Sequence, residues 1–360
     1  MTKALSIHDS ADSDLIGHES PTRKLFTTPS GWAFVLLSSF VLYYLATTVR
    51  PVTLPDQAPY LDYFKWTDWQ WMVDYFAQSK SAMNMAVGVV TDELGWRAWI
   101  LLVNSFGVTP EIGIRVTVVI INALVFYSLS RLSRPLLGLV LWLAIPAAFP
   151  IVGLFQIRQG FAFAIAMLFA LNFRRPVLGA LIASSLHTTF AIPAILLIVV
   201  RLSGPRQKIA LPAVCLAGIL LASMGGLLFQ DYGGRRIGDY AGYQAEFSDR
   251  LLVLMITYGI ASAMVLYTLE PGENSRLHAL RELATTHIGL IAYLVAAFLV
   301  FPFGKDRVFY YVSLLLPYFM QVLRVRTPAS LWLLLALFVT IGAEMALANE
   351  KGAYNVILHY

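Results

Sequence analysis

The sequence predicts an all-α protein, a polytopic transmembrane helical bundle of about 10–11 membrane segments, some of them short or re-entrant. Two compositional observations support this class: only 13% of the residues are charged, and 58% are hydrophobic, with a mean hydropathy of +0.69. Soluble domains carry about 25% charged residues. A chain with half that charge cannot cover a water-facing surface, so a soluble enzyme is excluded.

Apolar runs along the chain provide the third observation, because many approach the length of a membrane crossing. The spans are expected near 31–49, 111–130, 136–155, 159–173, 177–200, 209–229, 251–269, 284–303, 308–323 and 329–347. Residues 1–29 are polar and form a predicted disordered cytoplasmic tail, with the first span as a retained signal-anchor. A single transmembrane domain covers 30–347, and a short C-terminal tail covers 348–360.

The segment 177–200 has two interpretations. It is long enough to cross once, but Pro193 and the pair Ser184–Ser185 favour two short helices that turn near 187–189. With a hairpin there, basic residues of successive short connectors all fall on one side. The positive-inside rule makes that side, and the N-terminus, cytoplasmic. The outer face then holds the loops 50–96, 230–250 and 304–307.

The first outer loop is rich in aromatic residues, among them Tyr60, Trp66 and Trp69. Tyrosine and tryptophan favour the headgroup level of a membrane, so an interfacial amphipathic helix is one interpretation. The second is a sugar-stacking platform, because aromatic faces bind the C–H faces of pyranosides. The two are compatible.

Several ionisable residues lie where a membrane makes charge costly, and each is a functional candidate. Arg158 and Gln159 precede a helix start and fit an anion site, although Arg158 also fits a snorkelling interfacial arginine. His187 fits a general base or a satisfied buried histidine. Arg307 fits a second phosphate clamp or a solvated turn.

The outer loops add acidic and basic candidates. Asp56 and Glu93 are candidate bases, or solvated loop carboxylates. Arg235, Arg236 and Arg250 make the second outer loop basic, which fits a functional basic patch or a solvated loop. No Walker, HExxH, GxSxG or paired CxxC motif is present, and the spacing of the outer carboxylates does not demand a metal. We expect no cofactor, no metal and no nucleic-acid partner.

The order of these segments resembles the EpsG family of bacterial, Wzy-like polysaccharide polymerases. The matching pieces are a D-x-x-x-Y loop motif, an acid before an aromatic-containing apolar segment, R-Q-G-x-A followed by a histidine two helices later, and an arginine before paired tyrosines. In this chain they are Asp56 to Tyr60, Glu93 to Trp96, Arg158 to Ala162 with His187, and Arg307 with Tyr310 and Tyr311. The chain departs at Leu94, where a proline commonly follows the acid.

This resemblance implies a membrane-embedded glycosyltransferase of the GT-C type in the bacterial inner membrane. Its substrate would be a polyprenyl-diphosphate-linked oligosaccharide, and its partners would include membrane lipid, a chain-length regulator and a flippase. In the resulting hypothesis His187, Asp56 and Glu93 are the candidate bases, in that order. Arg158 with its neighbour Gln159, and Arg307, stabilise the leaving diphosphate, with Arg235, Arg236 or Arg250 as helpers. A glycan ligase and a lipid-linked sugar flippase or transporter remain alternatives.

Overall fold

The computed structural model describes residues 25–48, 50, 57–78, 82–204, 207–232, 249–269, 275–299, 305–323 and 327–350. Within these ranges the secondary structure is helical and contains no strand, so the all-α prediction is confirmed. The α-helices are α1 Pro29–Thr47, α2 Gln57–Trp66, α3 Trp69–Gln78, α4 Ala82–Thr91, α5 Leu94–Asn104, α6 Pro110–Leu129, α7 Pro135–Ala144, α8 Ile157–Leu171, α9 Pro176–Leu186, α10 Ala191–Leu202, α11 Gln207–Tyr232, α12 Asp249–Thr268, α13 Ser275–Leu299, α14 Lys305–Leu314, α15 Leu316–Val322 and α16 Pro328–Glu350.

Some of these helices are long enough to span a membrane. Four helices are long and apolar enough to cross a membrane, namely α1, α6, most of α13 and most of α16. A fifth crossing is available if α7 and the π-helix Ala147–Phe155, which meet at a 72° bend, act as one broken span. Helices α8, α9 and α10 are among the shorter apolar helices. The chain is therefore a multi-pass membrane protein.

Prolines start many of these helices. Pro29, Pro110, Pro135, Pro176 and Pro328 are each the first residue of a helix. Proline suits this position because its missing N–H would have no partner in the first turn and its φ is already helical. The long apolar runs are thus divided at points that the sequence marks.

The segment 177–200 is a hairpin, as the proline and serine pair predict. Helix α9 ends at Leu186, a short 3₁₀ turn covers Thr188–Phe190, and α10 then runs to Leu202. Contacts at the base of the hairpin identify its direction. Arg201 at the end of α10 forms an ion pair with Glu282 at 2.5 Å, and Arg276 donates to the Leu171 carbonyl at 3.2 Å. Helix α9 therefore starts, and helix α10 ends, at the end of the bundle that carries the basic connectors. His187 lies at the opposite end, at the tip of the hairpin.

Irregular backbone before α8 is held by buried amides. Asn122 donates to the Gly153 carbonyl at 3.1 Å and accepts from Trp142 Nε1 at 3.0 Å. Gln57 donates to the carbonyls of Leu154 and Phe155, each at 3.1 Å. Non-helical backbone at membrane depth is tolerated only where protein groups satisfy it. These amides thus position the residues that follow, beginning with Arg158.

Close helix packing in the second half depends on glycine. A Cβ atom on Gly218 of α11 would lie 2.4 Å from the Gly289 carbonyl oxygen of α13, a distance that no real side chain tolerates. Small residues let membrane helices approach until their backbones touch. Helices α11 and α13 are therefore a tightly joined pair.

We expect Gly218→Ala to lower the free energy of unfolding of the purified protein by about 1–3 kcal/mol, and with it the melting temperature, because overpacking forces the two helices apart. Gly342→Ala is the matched control, since a Cβ there has no neighbour within 4 Å. Alanine in that helix interior should be neutral or slightly stabilising. Equal melting curves for the two variants would contradict the packing.

Candidate active site

One buried carboxylate joins two of the predicted site residues. Glu93 is only 3% exposed, and its Oε2 forms an ion pair with Arg158 Nη1. Its Oε1 accepts from His187 Nδ1 at 2.7 Å and from the Thr188 backbone N–H at 3.1 Å. The acid, the guanidinium and the imidazole come from parts of the chain far apart in sequence. Their convergence makes this the candidate active site.

The backbone at Glu93 is unusual. Glu93 has φ 55° and ψ 48°, the left-handed region that side chains other than glycine rarely adopt. Such a conformation costs on the order of 1–3 kcal/mol and persists only where the surrounding structure enforces it. It turns the chain sharply between α4 and α5, so that the carboxylate faces the hairpin tip.

Two glycines allow the supporting helices to come close enough. A Cβ on Gly95, two residues after Glu93, would lie 2.3 Å from Ser185 Oγ and 3.0 Å from the Ser185 carbonyl oxygen. A Cβ on Gly160, two residues after Arg158, would lie 2.2 Å from the Val152 carbonyl oxygen. Each glycine therefore sets how near its neighbouring charged residue lies to the rest of the site.

The tautomer of His187 follows from its partner. A carboxylate only accepts hydrogen bonds, so Nδ1 carries the proton in the bond to Glu93. In the neutral imidazole Nε2 then carries the lone pair. Nε2 is buried and has no hydrogen-bond partner among the described residues. The ring is thus oriented by Glu93 with a basic nitrogen left available.

Aromatic rings surround Arg158. Its guanidinium carbon lies 5.0 Å from the Tyr63 ring centroid and 5.6 Å from that of Tyr60, and Nη1 donates to the Tyr63 hydroxyl at 3.3 Å. Tyr60 itself packs edge-on against buried Trp96, with centroids 6.1 Å apart. Cation–π contacts and the ion pair hold the guanidinium in one place. Arg158 is therefore preorganised.

Helix α14 contributes a third basic group. Gln159 is buried, and its Nε2 donates to the Arg307 carbonyl at 2.9 Å. The Arg307 charge is near enough to act electrostatically on Tyr60, His187 and Tyr311. One turn later, the Tyr311 hydroxyl lies 3.1 Å from Thr189 Oγ1 at the hairpin tip. Arg158, His187 and Arg307 therefore share one end of the bundle.

The charge balance of the site is positive. Glu93 forms ion-pair contacts with Arg158 and accepts a hydrogen bond from His187, so its single negative charge is shared by these two groups. Arg97 and Arg307 form no ion pair with any residue that the structure describes. Two guanidiniums without a counter-ion in a partly buried region favour an anionic ligand. No cluster of three or more metal-ligating side chains occurs among the described residues.

The remaining predicted residues fall in three groups. Asp56, Arg235 and Arg236 lie outside the described residues, and so does the side chain of Arg250. Trp66 and Trp69 are 65% and 68% exposed, and Lys65 Nζ lies over one face of the Trp66 ring, 4.9 Å from its centroid. Their sugar-stacking role stays a prediction. Tyr60 is only 6% exposed because it packs between Trp96 and Arg158, so its ring belongs to the wall of the site and offers no open stacking surface.

Sequence reasoning assigned no role to Tyr63, Gly95, Arg97 or Thr188. Tyr63 lies one helical turn after Tyr60, and Gly95 follows Glu93 closely, so both carried a local signal. Thr188 contributes a backbone N–H, for which no residue type is diagnostic.

A comparison with known protein families matches residues 58–358 to the EpsG family. The chain belongs to the EpsG family. The match covers most of the chain and includes Glu93, Arg158, His187 and Arg307. Membership implies a Wzy-like role in exopolysaccharide polymerisation by a glycosyltransferase-type enzyme. No curated protein and no solved structure matches the chain.

For this EpsG protein we expect Glu93→Gln to lower the free energy of unfolding by about 3–5 kcal/mol, because it leaves the Arg158 charge without its carboxylate. Glu111→Gln is the control, since Glu111 is exposed and forms no described ion pair. Combining Glu93→Gln with Arg158→Gln should recover part of the loss. Denaturant unfolding in detergent is measured for the unaltered protein, the single variants Glu93→Gln and Arg158→Gln, the double variant and the Glu111→Gln control. A single variant as stable as the control, or a double variant with additive losses, would contradict the buried pair.

Proposed function

We propose that this protein joins polyprenyl-diphosphate-linked oligosaccharide repeat units by glycosyl transfer. The observation that carries the proposal is the buried Glu93–His187 pair beside Arg158 and Arg307. It offers a base with an available lone pair and fixed cations in one place. Family membership supports the polymerase role, and the site chemistry supports the choice of substrate and leaving group.

The leaving group determines what the cations do. As the bond between the anomeric carbon and the diphosphate oxygen breaks, the lipid diphosphate departs with the electron pair. Fixed guanidiniums in a low-dielectric site stabilise such developing charge without reorganisation. Arg158, held by Glu93 and Tyr63, and Arg307 on α14 take this role. Gln159 positions Arg307 through its backbone carbonyl.

The proton of the acceptor is taken by His187. An acceptor hydroxyl attacks the anomeric carbon and transfers its proton to Nε2, while Glu93 stabilises the imidazolium that forms. This arrangement is that of a catalytic triad, in which a carboxylate orients a histidine and the histidine takes the proton of a hydroxyl. A single displacement of this kind inverts the anomeric configuration. Glu93 acts here as the positioning residue, and His187 as the base.

The site is proposed to open on the outer face of the bacterial inner membrane. The basic connectors, with Arg201 and Arg276, occupy the opposite end of the bundle from His187. Under the positive-inside rule that basic end is cytoplasmic, and so is the N-terminus. A flippase would then deliver the lipid-linked units, and a chain-length regulator would act with the polymerase.

We expect His187→Ala and Arg158→Lys to reduce polymer by about 10²-fold or more, the usual contribution of one general base or fixed donor. Lipid-linked single repeat units should accumulate, because supply continues while joining stops. The measurement combines polymer sizing with mass spectrometry of extracted lipid-linked glycans, in cells that lack the native gene.

His278→Ala is the matched control, because this histidine is exposed at the basic end, 3.2 Å from Glu282. It should leave polymer length unchanged. Normal polymer in His187→Ala, at equal protein level in the membrane, would contradict the assignment. Accumulation of finished lipid-linked polymer in place of single units would identify a ligase.

A further inference from the structure

Arg97 is a cation that the proposed reaction does not use. It lies on α5, one turn after Glu93, and its guanidinium carbon is 4.2 Å from the Tyr63 ring centroid and 4.5 Å from that of Trp71. Its Nη1 donates to Thr67 Oγ1. Tyr63 also contacts Arg158, so one phenol ring is shared by two guanidiniums. Arg97 therefore lies beside the active site.

All of these partners are neutral. Arg97 forms no ion pair with a described residue, whereas Arg158 is matched by Glu93. Its Nε is buried and has no hydrogen-bond partner among the described residues. Taking a charge out of water without a counter-ion is costly, so partly buried cations are normally paired. Among the described residues, Arg97 therefore has no carboxylate in direct contact, and its Nε donor is unused.

The two carboxylates nearest in sequence, Glu93 and Asp92, are both engaged elsewhere. Glu93 binds Arg158 and His187. Asp92 Oδ2 accepts from the Tyr75 hydroxyl at 2.8 Å. Partial burial, together with this bond, raises the pKa of Tyr75 to about 12, so the phenol remains a neutral donor at physiological pH. The Tyr75 ring in turn stacks on Trp71, with centroids 5.4 Å apart.

The binding position is built in advance by three helices. Tyr63 comes from α2, Trp71 from α3 and Arg97 from α5, and Asn104 of α5 fastens the turn between α2 and α3 by donating to the Phe64 carbonyl at 2.9 Å and the Thr67 carbonyl at 3.2 Å. A guanidinium held against aromatic rings keeps its planar fork fixed, which suits an oxyanion better than a mobile lysine would.

We propose that Arg97, held by Tyr63, Trp71 and Thr67, is a second anion-binding site that takes an oxyanion of the acceptor substrate. Two sources supply this chemistry: the diphosphate of the acceptor lipid and the carboxylate of an acidic sugar. The existence of the site rests on the contacts of Arg97 alone. Its assignment to the acceptor rests on the proposed function.

The test uses full-length protein in nanodiscs and calorimetric titration with two probes, inorganic pyrophosphate and a galacturonic acid trisaccharide. We expect at least one probe to bind the unaltered protein, and Arg97→Gln to weaken that binding about tenfold or more, as for loss of a charged hydrogen bond. If Arg97→Gln binds pyrophosphate more weakly than the unaltered protein does, the site takes a diphosphate. If the variant binds the trisaccharide more weakly, the site takes an acidic sugar.

Arg115→Gln is the matched control, because Arg115 is an arginine on the neighbouring helix α6 whose guanidinium donates to the Ala46 carbonyl at 3.4 Å and forms no ion pair with a described residue. It should bind both probes within twofold of the unaltered protein. If Arg97→Gln does not fold, Arg97→Lys replaces it, and loss of the planar fork should still weaken binding several-fold.

Unchanged binding in the Arg97 variant, equal weakening in the Arg115 control, or no binding of either probe to the unaltered protein would overturn the site. Because binding is measured without turnover, this result is separate from the cellular polymer assay. If the polymer assay contradicts the polymerase assignment but Arg97-dependent probe binding is seen, the anion site stands. If the polymer assay supports the assignment but probe binding does not depend on Arg97, only the anion site is rejected.

Discussion

The carboxylate of Glu93 is the interaction on which the site depends. A buried charge is stable only when it is paired and hydrogen-bonded, and Glu93 meets this condition with Arg158, His187 and the Thr188 backbone. Removing any one partner leaves another polar group buried without compensation. The same carboxylate fixes the position of the Arg158 guanidinium and selects the tautomer of His187. One group therefore both stabilises the site and orients the residues that we propose act in the reaction.

The helices around the candidate active site allow irregular backbone and charged side chains to lie together inside a membrane protein. The hairpin of α9 and α10 delivers His187 at its tip, while buried Gln57 and Asn122 satisfy the π-helix that leads to Arg158. Gly95 permits the close approach of α5 to α9. The left-handed backbone of Glu93 is the strained element in this arrangement, and the packing around it supplies the constraint.

Much of the fold could be predicted from the sequence, because apolar runs, prolines at helix starts and basic connectors are each local signals. The hairpin at 177–200 was open on length alone, and the proline and serine pair indicated the correct choice. Arg158 and His187 were recognisable as ionisable groups at costly positions, and Glu93 as an acidic candidate in an outer loop. Their pairing was not, because Glu93 and His187 meet only through long-range packing that no local pattern encodes. The sequence ranks Glu93 behind His187 and Asp56 as a base, because its contacts with Arg158 and His187 are long-range. It also predicts a stacking surface at Tyr60, whereas tertiary contacts with Trp96 and Arg158 bury that ring.

The proposed chemistry depends on Glu93 holding His187 in the tautomer with its proton on Nδ1 and a lone pair on Nε2. Solid-state ¹⁵N NMR of histidine-labelled protein in lipid measures this directly, with the His187 signal identified by its disappearance in His187→Gln. We expect a protonated Nδ1 and an unprotonated Nε2, and a change in this pattern in Glu93→Gln. A proton on Nε2, or a His187 signal that is indifferent to the loss of the Glu93 carboxylate, would contradict the account.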